Sequence, residues 1–336
     1  MSVTIKDVAK EAGVSPSTVS RVLSDNSKIS EDTKNRVMDV ISRMNYHPNV
    51  IARNLANQST RTLGLILPSN EETLFKNPFF IQIMTGISIY AQKKGYYIMY
   101  SFSNDEKEEL NFIKNFINSK IADGIILLTS RSNDKCINYL KKFKYPFVVV
   151  GRPENTEEIL WVDNDNSISM YMVVESLIHK GHKSIAFIGG PKELNMSRDR
   201  LEGYTKAITD KGLKVEPKLV YQEADFTEET GYAAITEILK FQRPTAIVTT
   251  DDLLAFGVIK YFNENKIEDI AVVGFNNIPL SQYQKPALSS VDINAEMLGY
   301  HAAKLLISSL NEEIMDTNHF VIDTKLVERE SSLFHL

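Results

Sequence analysis

Apolar residues in the first 60 positions recur at helical spacing, with no strand-like alternation. Ile5, Val8, Ala9 and Ala12 stand at i, i+3, i+4 and i+7, Thr4 precedes them as a capping residue with Asp7 three positions on, and Gly13 follows. That pattern predicts one amphipathic helix ending at the glycine. Ser15 then caps a second helix, with Pro16 at its first position, where the missing N–H costs nothing, and Val19, Val22 and Leu23 as its buried stripe. Ser30 opens a third, with Glu31 and Asp32 in a first turn that favours acids and Val37, Val40, Ile41 and Met44 facing inward. Three such helices can share one small core. After Tyr46-His47-Pro48-Asn49, a run over 50–56 has a helical pattern but barely two turns, too short to be stable alone in water. The polar link Asn57-Gln58-Ser59-Thr60 leads out of it.

From Leu63 the pattern changes to continuous apolar runs separated by helical stretches. Strands are predicted at 63–67, 96–102, 124–128, 147–151, 184–189, 245–250 and 270–275, and helices between them, for example Phe79 to Lys94 and Met170 to Lys180. Unbroken apolar runs mean strands covered on both faces, as in parallel sheets layered with helices. Seven or more strands over about 270 residues fit one large sheet or two lobes, and periodicity does not choose between them. The polar interruption Trp161-Val162-Asp163-Asn164-Asp165-Asn166 is the expected crossover.

Length and composition agree with this division. The chain has 336 residues, 43% hydrophobic and 24% charged, enough for two or three domains with real cores. Its net charge of −5 is unevenly spread: residues 1–60 carry eight Lys or Arg against six Asp or Glu, whereas the rest carry 30 against 37. A mildly basic head on an acidic body suits a DNA-binding module joined to something else. The single cysteine, Cys136, offers neither an intrachain disulfide nor a multi-cysteine zinc site, so neither an oxidising compartment nor a metal is expected. The N-terminus shows no signal-peptide pattern and no stretch reaches the length of a membrane span, so a cytoplasmic location without membrane contact is expected.

Common catalytic and cofactor signatures are missing. No two glycines stand at i and i+2, there is no phosphate-binding glycine loop, and the six histidines form no metal-binding pair. G-x-S-x-G does not occur either. Asp251-Asp252 could do acid–base work, but adjacent carboxylates at a strand end more often cap the next helix or accept from a hydroxyl. Neither an enzyme nor a cofactor is expected.

The positive signal is the contiguous stretch from Thr4-Ile5-Lys6-Asp7-Val8-Ala9 through Gly13-Val14-Ser15-Pro16-Ser17-Thr18-Val19-Ser20-Arg21-Val22-Leu23. It closely resembles the head of the lactose-repressor/galactose-repressor family of bacterial transcription regulators. Met44-Asn45-Tyr46-His47-Pro48-Asn49 is an altered form of that family's next motif. The likeness continues through Gly181-His182, Arg200-Leu201-x-Gly203-Tyr204, Pro244-Thr245-Ala246, Val273-Gly274-Phe275-Asn276 and Pro286-Ala287-Leu288. It therefore spans essentially the whole chain. The resemblance implies an all-α helix-turn-helix head over 1–47, a hinge helix and linker over 48–60, and a two-lobed α/β body over 61–336 like a type I periplasmic binding protein. The first lobe would comprise about 61–163 and 292–322, the second about 164–291 and 323–336. A homodimer on a near-palindromic double-stranded operator is implied as well, and the chain shows no leucine-heptad tail of the kind that makes some relatives tetramers.

Such a head places its second helix in the major groove, N-terminal residues at the base edges. By family position Pro16 and Ser17 are the main specificity residues, and Arg21 is the candidate for a bidentate bond to guanine. Ser15 and Thr18 lie at the same edge. The hydroxyls of Thr4, Ser17, Thr18 and Ser20, with Asn26, fit phosphate contacts that fix register, although Thr4 and Ser15 are chiefly expected to cap helices. In the run 50–56 the family reading is a hinge helix that levers Leu55 between central base pairs, with Asn49, Ala52 and Arg53 along the minor groove. The plainer reading is a linker with two apolar anchors, Ile51 and Leu55.

A sugar site needs carboxylates and amides that accept from hydroxyls, an arginine that donates, and aromatic faces. Family motifs place Arg200, Asp251 and Asn276 there, Phe226 at a stacking position, and Asn77, Phe79, Asp163 and Asp165 around them. Many relatives carry Asp where this chain has Asn276, which keeps an acceptor and leaves the ligand open. Each residue also has an ordinary reading: core for Phe79, a helix cap for Asp165, an ion pair for Arg200. Asn77-Pro78-Phe79-Phe80 with Val162-Asp163-Asn164-Asp165-Asn166 is most similar to the maltose-operon repressors of Gram-positive bacteria, which implies a maltose-type effector and a repressor. A regulator needing a phosphorylated carrier protein, a solute-binding protein and a sugar-modifying enzyme are the alternatives.

Overall fold

The computed structural model describes residues 3–23, 26–46, 59–68, 77–223 and 225–333. It divides into two compact units, Met1–Thr60 and Arg61–Leu336.

The first unit is built on α1 (Ile5–Ala12), α2 (Pro16–Leu23) and α3 (Glu31–Arg43). The Asp7 carboxylate accepts from both the backbone N–H (2.9 Å) and the hydroxyl (2.7 Å) of Thr4, which secures the start of α1. Gly13 closes α1 in the left-handed region at φ 64°, returning its N–H to the carbonyls of Ala9 and Lys10. Val8, Ala9, Ala12, Val19, Val22, Val37, Val40 and Tyr46 are buried together as one core. Tyr46, the aromatic of the altered motif, thus anchors the end of the helical unit.

The second unit holds two six-stranded sheets. The first has the order β11-β5-β4-β3-β1-β2 and the second β12-β10-β9-β8-β6-β7. Their strands are β1 (Thr62–Leu67), β2 (Tyr97–Phe102), β3 (Gly124–Leu127), β4 (Phe147–Val150), β5 (Leu160–Asp163), β6 (Ile185–Gly189), β7 (Val220–Gln222), β8 (Ala246–Thr249), β9 (Ala271–Phe275), β10 (Ser289–Asp292), β11 (His319–Val321) and β12 (Lys325–Val327). Every pairing is parallel except β10 with β12. Parallel neighbours need covered crossovers, which the helices supply. These are α4 (Pro78–Lys93), α5 (Glu106–Ser119), α6 (Lys135–Lys142), α7 (Asn166–His179), α8 (Asn195–Asp210), α9 (Glu228–Phe241), α10 (Asp252–Asn265) and α11 (Ala295–Leu310). In the first lobe α4 pairs with α11 and α5 with α6; in the second α7 pairs with α8 and α9 with α10.

The seven predicted strands each fall within one residue of an observed strand at both ends. Of the other five, β5, β7 and β10 carried no such signal. Residues 160–163, within the expected crossover, form β5, and the chain crosses just beyond it. Residues 320–328, whose pattern reads as one strand-like stretch, are two strands, β11 and β12, in different sheets, so the chain crosses between them too. The helix expected from Met170 begins at Asn166, because the Asp165 carboxylate caps it there.

Candidate functional site

In the head, Ser15, Pro16, Ser17, Ser20 and Arg21 are exposed at α2, and Thr18 is half-buried. The Ser15 hydroxyl accepts from the Thr18 N–H at 3.1 Å and pairs with the Thr18 hydroxyl at 2.9 Å, so both side chains secure the helix start. Thr4 is likewise engaged with Asp7 and remains exposed. The Asn26 amide oxygen accepts from the Lys28 N–H at 2.9 Å, a local turn that uses the side chain's acceptor. An exposed row of hydroxyls, one proline and one arginine along the first turns of α2 can approach base edges and phosphates. Asn49, Ala52, Arg53 and Leu55 lie outside the described residues.

In the body, the C-terminal ends of strands from both sheets meet, the region where open α/β sheets hold ligands. Arg200, on α8 of the second lobe, is only 3% exposed. Its Nε donates to the Asn166 side-chain oxygen at 2.8 Å, its Nη1 to the Thr250 carbonyl at 2.5 Å, and its guanidinium lies 3.6 Å from the centre of the Phe275 ring. Asp163 stands at the end of β5 and accepts from the backbone N–H groups of Arg152 and Asn164, both at 2.8 Å, and from the Asn166 amide at 3.0 Å. Asn166 therefore joins Arg200 to Asp163. It was not among the site residues expected, although it stands in the polar run that contains them.

Asp251 follows β8. One oxygen caps α10 by accepting from the Leu253 N–H at 2.8 Å, and the other accepts from the Asn276 amide at the same distance. The Asn77 side chain, from the first lobe, lies near enough to this carboxylate to oppose the rise in its pKa. Capping and site-building are thus done by different oxygens of one residue. Asn276 adopts φ 102°, a conformation that asparagine tolerates better than most residues, which turns its amide back toward Asp251. Asp252, by contrast, is used up locally by Ser281, Ser290 and the Ile278 N–H.

Electrostatics follow from burial. Desolvation pushes Asp251 up to about 7, with the adjacent Asp252 charge adding to it against the pull of Leu253 N–H and Arg200. Asp163 is pushed up to about 6 by burial, opposed by the N–H donors of Asn164 and Arg152 and then by Arg200. Burial lowers Arg200 to about 10, against the favourable fields of Asp163 and Asp251, so it remains charged at neutral pH. One cation flanked by two readily protonated acids suits an uncharged ligand rich in hydroxyls, each of which can donate or accept.

Aromatic residues border this polar group. Phe79, at the start of α4, packs against apolar clusters of both lobes. Phe226 lies on Gly190: a Cβ placed there would come within 2.1 Å of its ring, so only glycine admits the phenyl at that spot. The Gly190 N–H donates to the Thr250 hydroxyl at 3.0 Å, tying this aromatic shelf to the loop whose carbonyl holds Arg200. Asp165 is half-buried and accepts from the Ile168 N–H at 2.9 Å; the structure uses it as the cap of α7 and links it to none of the residues around Arg200. Along another edge, Asn195 of the second lobe bonds Ser130 and Arg152 of the first, and Arg152 pairs with Asp199 at 3.0 Å. Among the described residues no His, Cys, Asp and Glu cluster could hold a metal, and no helix is long and apolar enough to cross a membrane.

Comparison with known proteins covers both units. Residues 4–49 match the family model for bacterial regulatory proteins of the lacI family, and residues 174–332 that for a periplasmic binding protein-like domain. The chain is 38% identical over 316 residues to the HTH-type transcriptional regulator MalR of Streptococcus pneumoniae, covering 93% of this chain and 94% of that one. It is 34% identical to catabolite control protein A of Priestia megaterium, over 99% of this chain and 100% of the relative. Among solved structures, the complex of the transcriptional regulator CelR with cellobiose superposes with a TM-score of 0.76 at 28% identity, covering 98% of this chain and 99% of that one. Likeness of this extent, through the helix-turn-helix head and the two-sheet body alike, shows that the chain belongs to the lacI family of DNA-binding bacterial transcription regulators.

Proposed function

We propose that the protein is a cytoplasmic homodimeric repressor of carbohydrate-utilisation genes, released from its operator when a maltose-type α-glucoside binds between the lobes. The observation that carries the reading is Arg200, buried beside Asp163 and Asp251 and bordered by Phe79 and Phe226. Hydroxyls, and no charge, are what that group can satisfy. The 38% likeness to a regulator named MalR supports maltose as the first sugar to try, and the cellobiose complex of CelR supports a disaccharide. No catalytic step and no cofactor belong to this reading. Sugar binding shifts the protein only as far as the sugar prefers the released conformation, so the effector acts through differential affinity.

The test is fluorescence anisotropy of the gene's own upstream DNA with purified protein, at fixed salt, with maltose and a panel of other sugars. Tight binding released by maltose is expected. Arg21→Ala is expected to weaken operator binding by about 1–3 kcal/mol while leaving sugar binding unchanged. Binding indifferent to every sugar would sink the inducer reading. The 34% likeness to a catabolite control protein favours one second reading, in which operator binding appears only when a phosphorylated carrier protein is added.

A further inference from the structure

The chain passes between the lobes three times: after β5 through Asn164 and Asp165, after β10 through Ile293 and Asn294, and after β11 through Ile322 and Asp323. Any rotation of one lobe against the other must be absorbed by backbone torsions at these three places. Asn164, in the first, is 6% exposed. Its side-chain amide nitrogen donates to the Ile293 carbonyl at 3.0 Å and to the Ile322 carbonyl at 2.8 Å. Both amide protons are therefore spent on the other two crossovers, one each.

We propose that Asn164 is a positioning residue that pins the three crossovers into one hinge, so that they turn together. Two features beyond the pair of bonds support this. The third crossover is tied to the first a second time, by the Ile322 N–H donating to the Asp163 carbonyl at 2.8 Å. The pin also continues into the cleft: the Asn164 N–H donates to the Asp163 carboxylate, which accepts from Asn166, which in turn accepts from Arg200. A ligand that moves Arg200 or Asp163 thereby pulls on a group fixed to all three crossings. Coupling requires such an element with discrete arrangements, biased from the site, and a buried amide that must keep or break two bonds together is one. An apolar or anionic side chain at 164 would free the second crossover and leave the third held to the first by the Ile322 N–H alone, with two buried carbonyls deprived of their donor.

The link to effector release rests on the proposed cleft site, but the pin itself is tested without any ligand. Amide hydrogen exchange is measured on the unliganded full-length protein for wild type, Asn164→Ala, Asn164→Ser and Asn164→Asp. Exchange is expected to rise on the order of tenfold to a hundredfold at residues 163–166, 291–294 and 321–324 together, while β3 and β8 stay as in wild type. Serine, with one donor, is expected to fall between wild type and alanine; it also serves should alanine fail to fold. Aspartate, of nearly equal size but with oxygens facing two carbonyls, is expected to behave at least as badly as alanine. A rise confined to 163–166 overturns the proposal, as does an equal rise throughout both sheets, which would mean general destabilisation. Operator affinity with and without maltose is then read in the same proteins. If wild type ignores maltose, the sugar reading fails while the exchange result still judges the pin. If wild type responds and the variants respond equally despite altered exchange, the pin exists but the proposed coupling through it is overturned.

Discussion

Arg200, Asp251, Asn276 and Phe226 all stand on elements of the second lobe, whereas the first sends Asn77, Phe79 and Asp163 toward them. Taken in chain order, the first five strands of each sheet are parallel and arranged alike, and the sheets differ only in the sixth, parallel in the first and antiparallel in the second, so topology does not explain the asymmetry. What differs is how the side chains are held. In the second lobe each polar group is fixed by its own lobe before any ligand arrives: Arg200 by Thr250 and Asn166, Asp251 by Leu253 and Asn276. From the first, Asn77 caps α4 at 3.2 Å from the Phe79 N–H and helps to hold Asp251 down, and Phe79 leans on apolar residues of both lobes. In the proposed site the second lobe would thus supply a prearranged polar cradle and the first a wall of Asn77 and Phe79, with Asp163 held at its edge by the Arg152 N–H. Prearrangement matters because ordering side chains at the moment of binding subtracts from affinity.

The sharpest way to break this contrast is Arg200→Met, which keeps much of the volume and removes the cation. Asp163 and Asp251 would then lie buried without the favourable field of that cation, and the Asn166 oxygen and Thr250 carbonyl would lose their donor, a loss of about 1–3 kcal/mol for each buried group left unsatisfied. Thermal unfolding of the unliganded protein and calorimetric sugar titration are both expected to show it. Arg200→Lys should recover only part of the binding, since an ammonium cannot reproduce the fork that reaches Asn166 and Thr250 together. Sugar affinity within twofold of wild type in Arg200→Met would mean that the cradle is not where the ligand is held.

A second, smaller effect separates the carboxylates of the two lobes by pH. Both are raised by burial, Asp163 to about 6 and Asp251 to about 7. An acid with a raised value binds its proton more tightly folded than unfolded. Its contribution is complete below the ordinary carboxylate range and is lost as pH rises through the folded value. Stability of the unliganded body should therefore fall between about pH 4 and 7, by up to about 1.4 kcal/mol per pH unit for each proton involved. In Asp251→Asn the part of the decline that runs up to about pH 7 should vanish, and in Asp163→Asn the part that ends near pH 6. Identical denaturation-versus-pH profiles for wild type and both variants would remove the electrostatic half of the comparison.

Legibility in the sequence divides along a different line. The head was readable because its helices are local: caps, a glycine stop and apolar spacing fall within a few residues of one another, and the exposed polar edge of α2 is contiguous. Strands buried on both faces were equally plain. β10 was not, because its Ser289 and Ser290 are buried by hydroxyl bonds to Arg329 and Asp252 rather than by apolar contact. β7 is a three-residue edge strand, too short to imprint a pattern, and β11 and β12, equally short, blurred into one strand-like stretch although they belong to different sheets. In the cleft, motifs pointed to Arg200 and Asp251, but Asn164 and Asn166 gain their meaning only from partners up to 158 residues away, which no local spacing encodes. Asp165 shows the converse: its ordinary capping role was visible in the sequence beside the functional one, and capping is what its geometry provides.

The aromatic pair, with the smallest effect of all expected at Phe226, refines the contrast between cradle and wall. Phe79→Ala removes a ring that touches apolar clusters of both lobes, so its loss should weaken sugar binding and also loosen the unliganded protein, by about 2–4 kcal/mol in stability for a half-buried ring. Phe226→Leu keeps apolar bulk over Gly190 and sacrifices only the flat face, so a twofold to tenfold loss in sugar affinity, about 0.5–1.5 kcal/mol, with little change in thermal unfolding is expected. The two variants should therefore separate: one reads closure of the lobes, the other stacking on a fixed shelf. Equal losses of affinity and stability in both would indicate that Phe226, too, belongs to the wall, and that the second lobe is less completely prearranged than its hydrogen bonds imply.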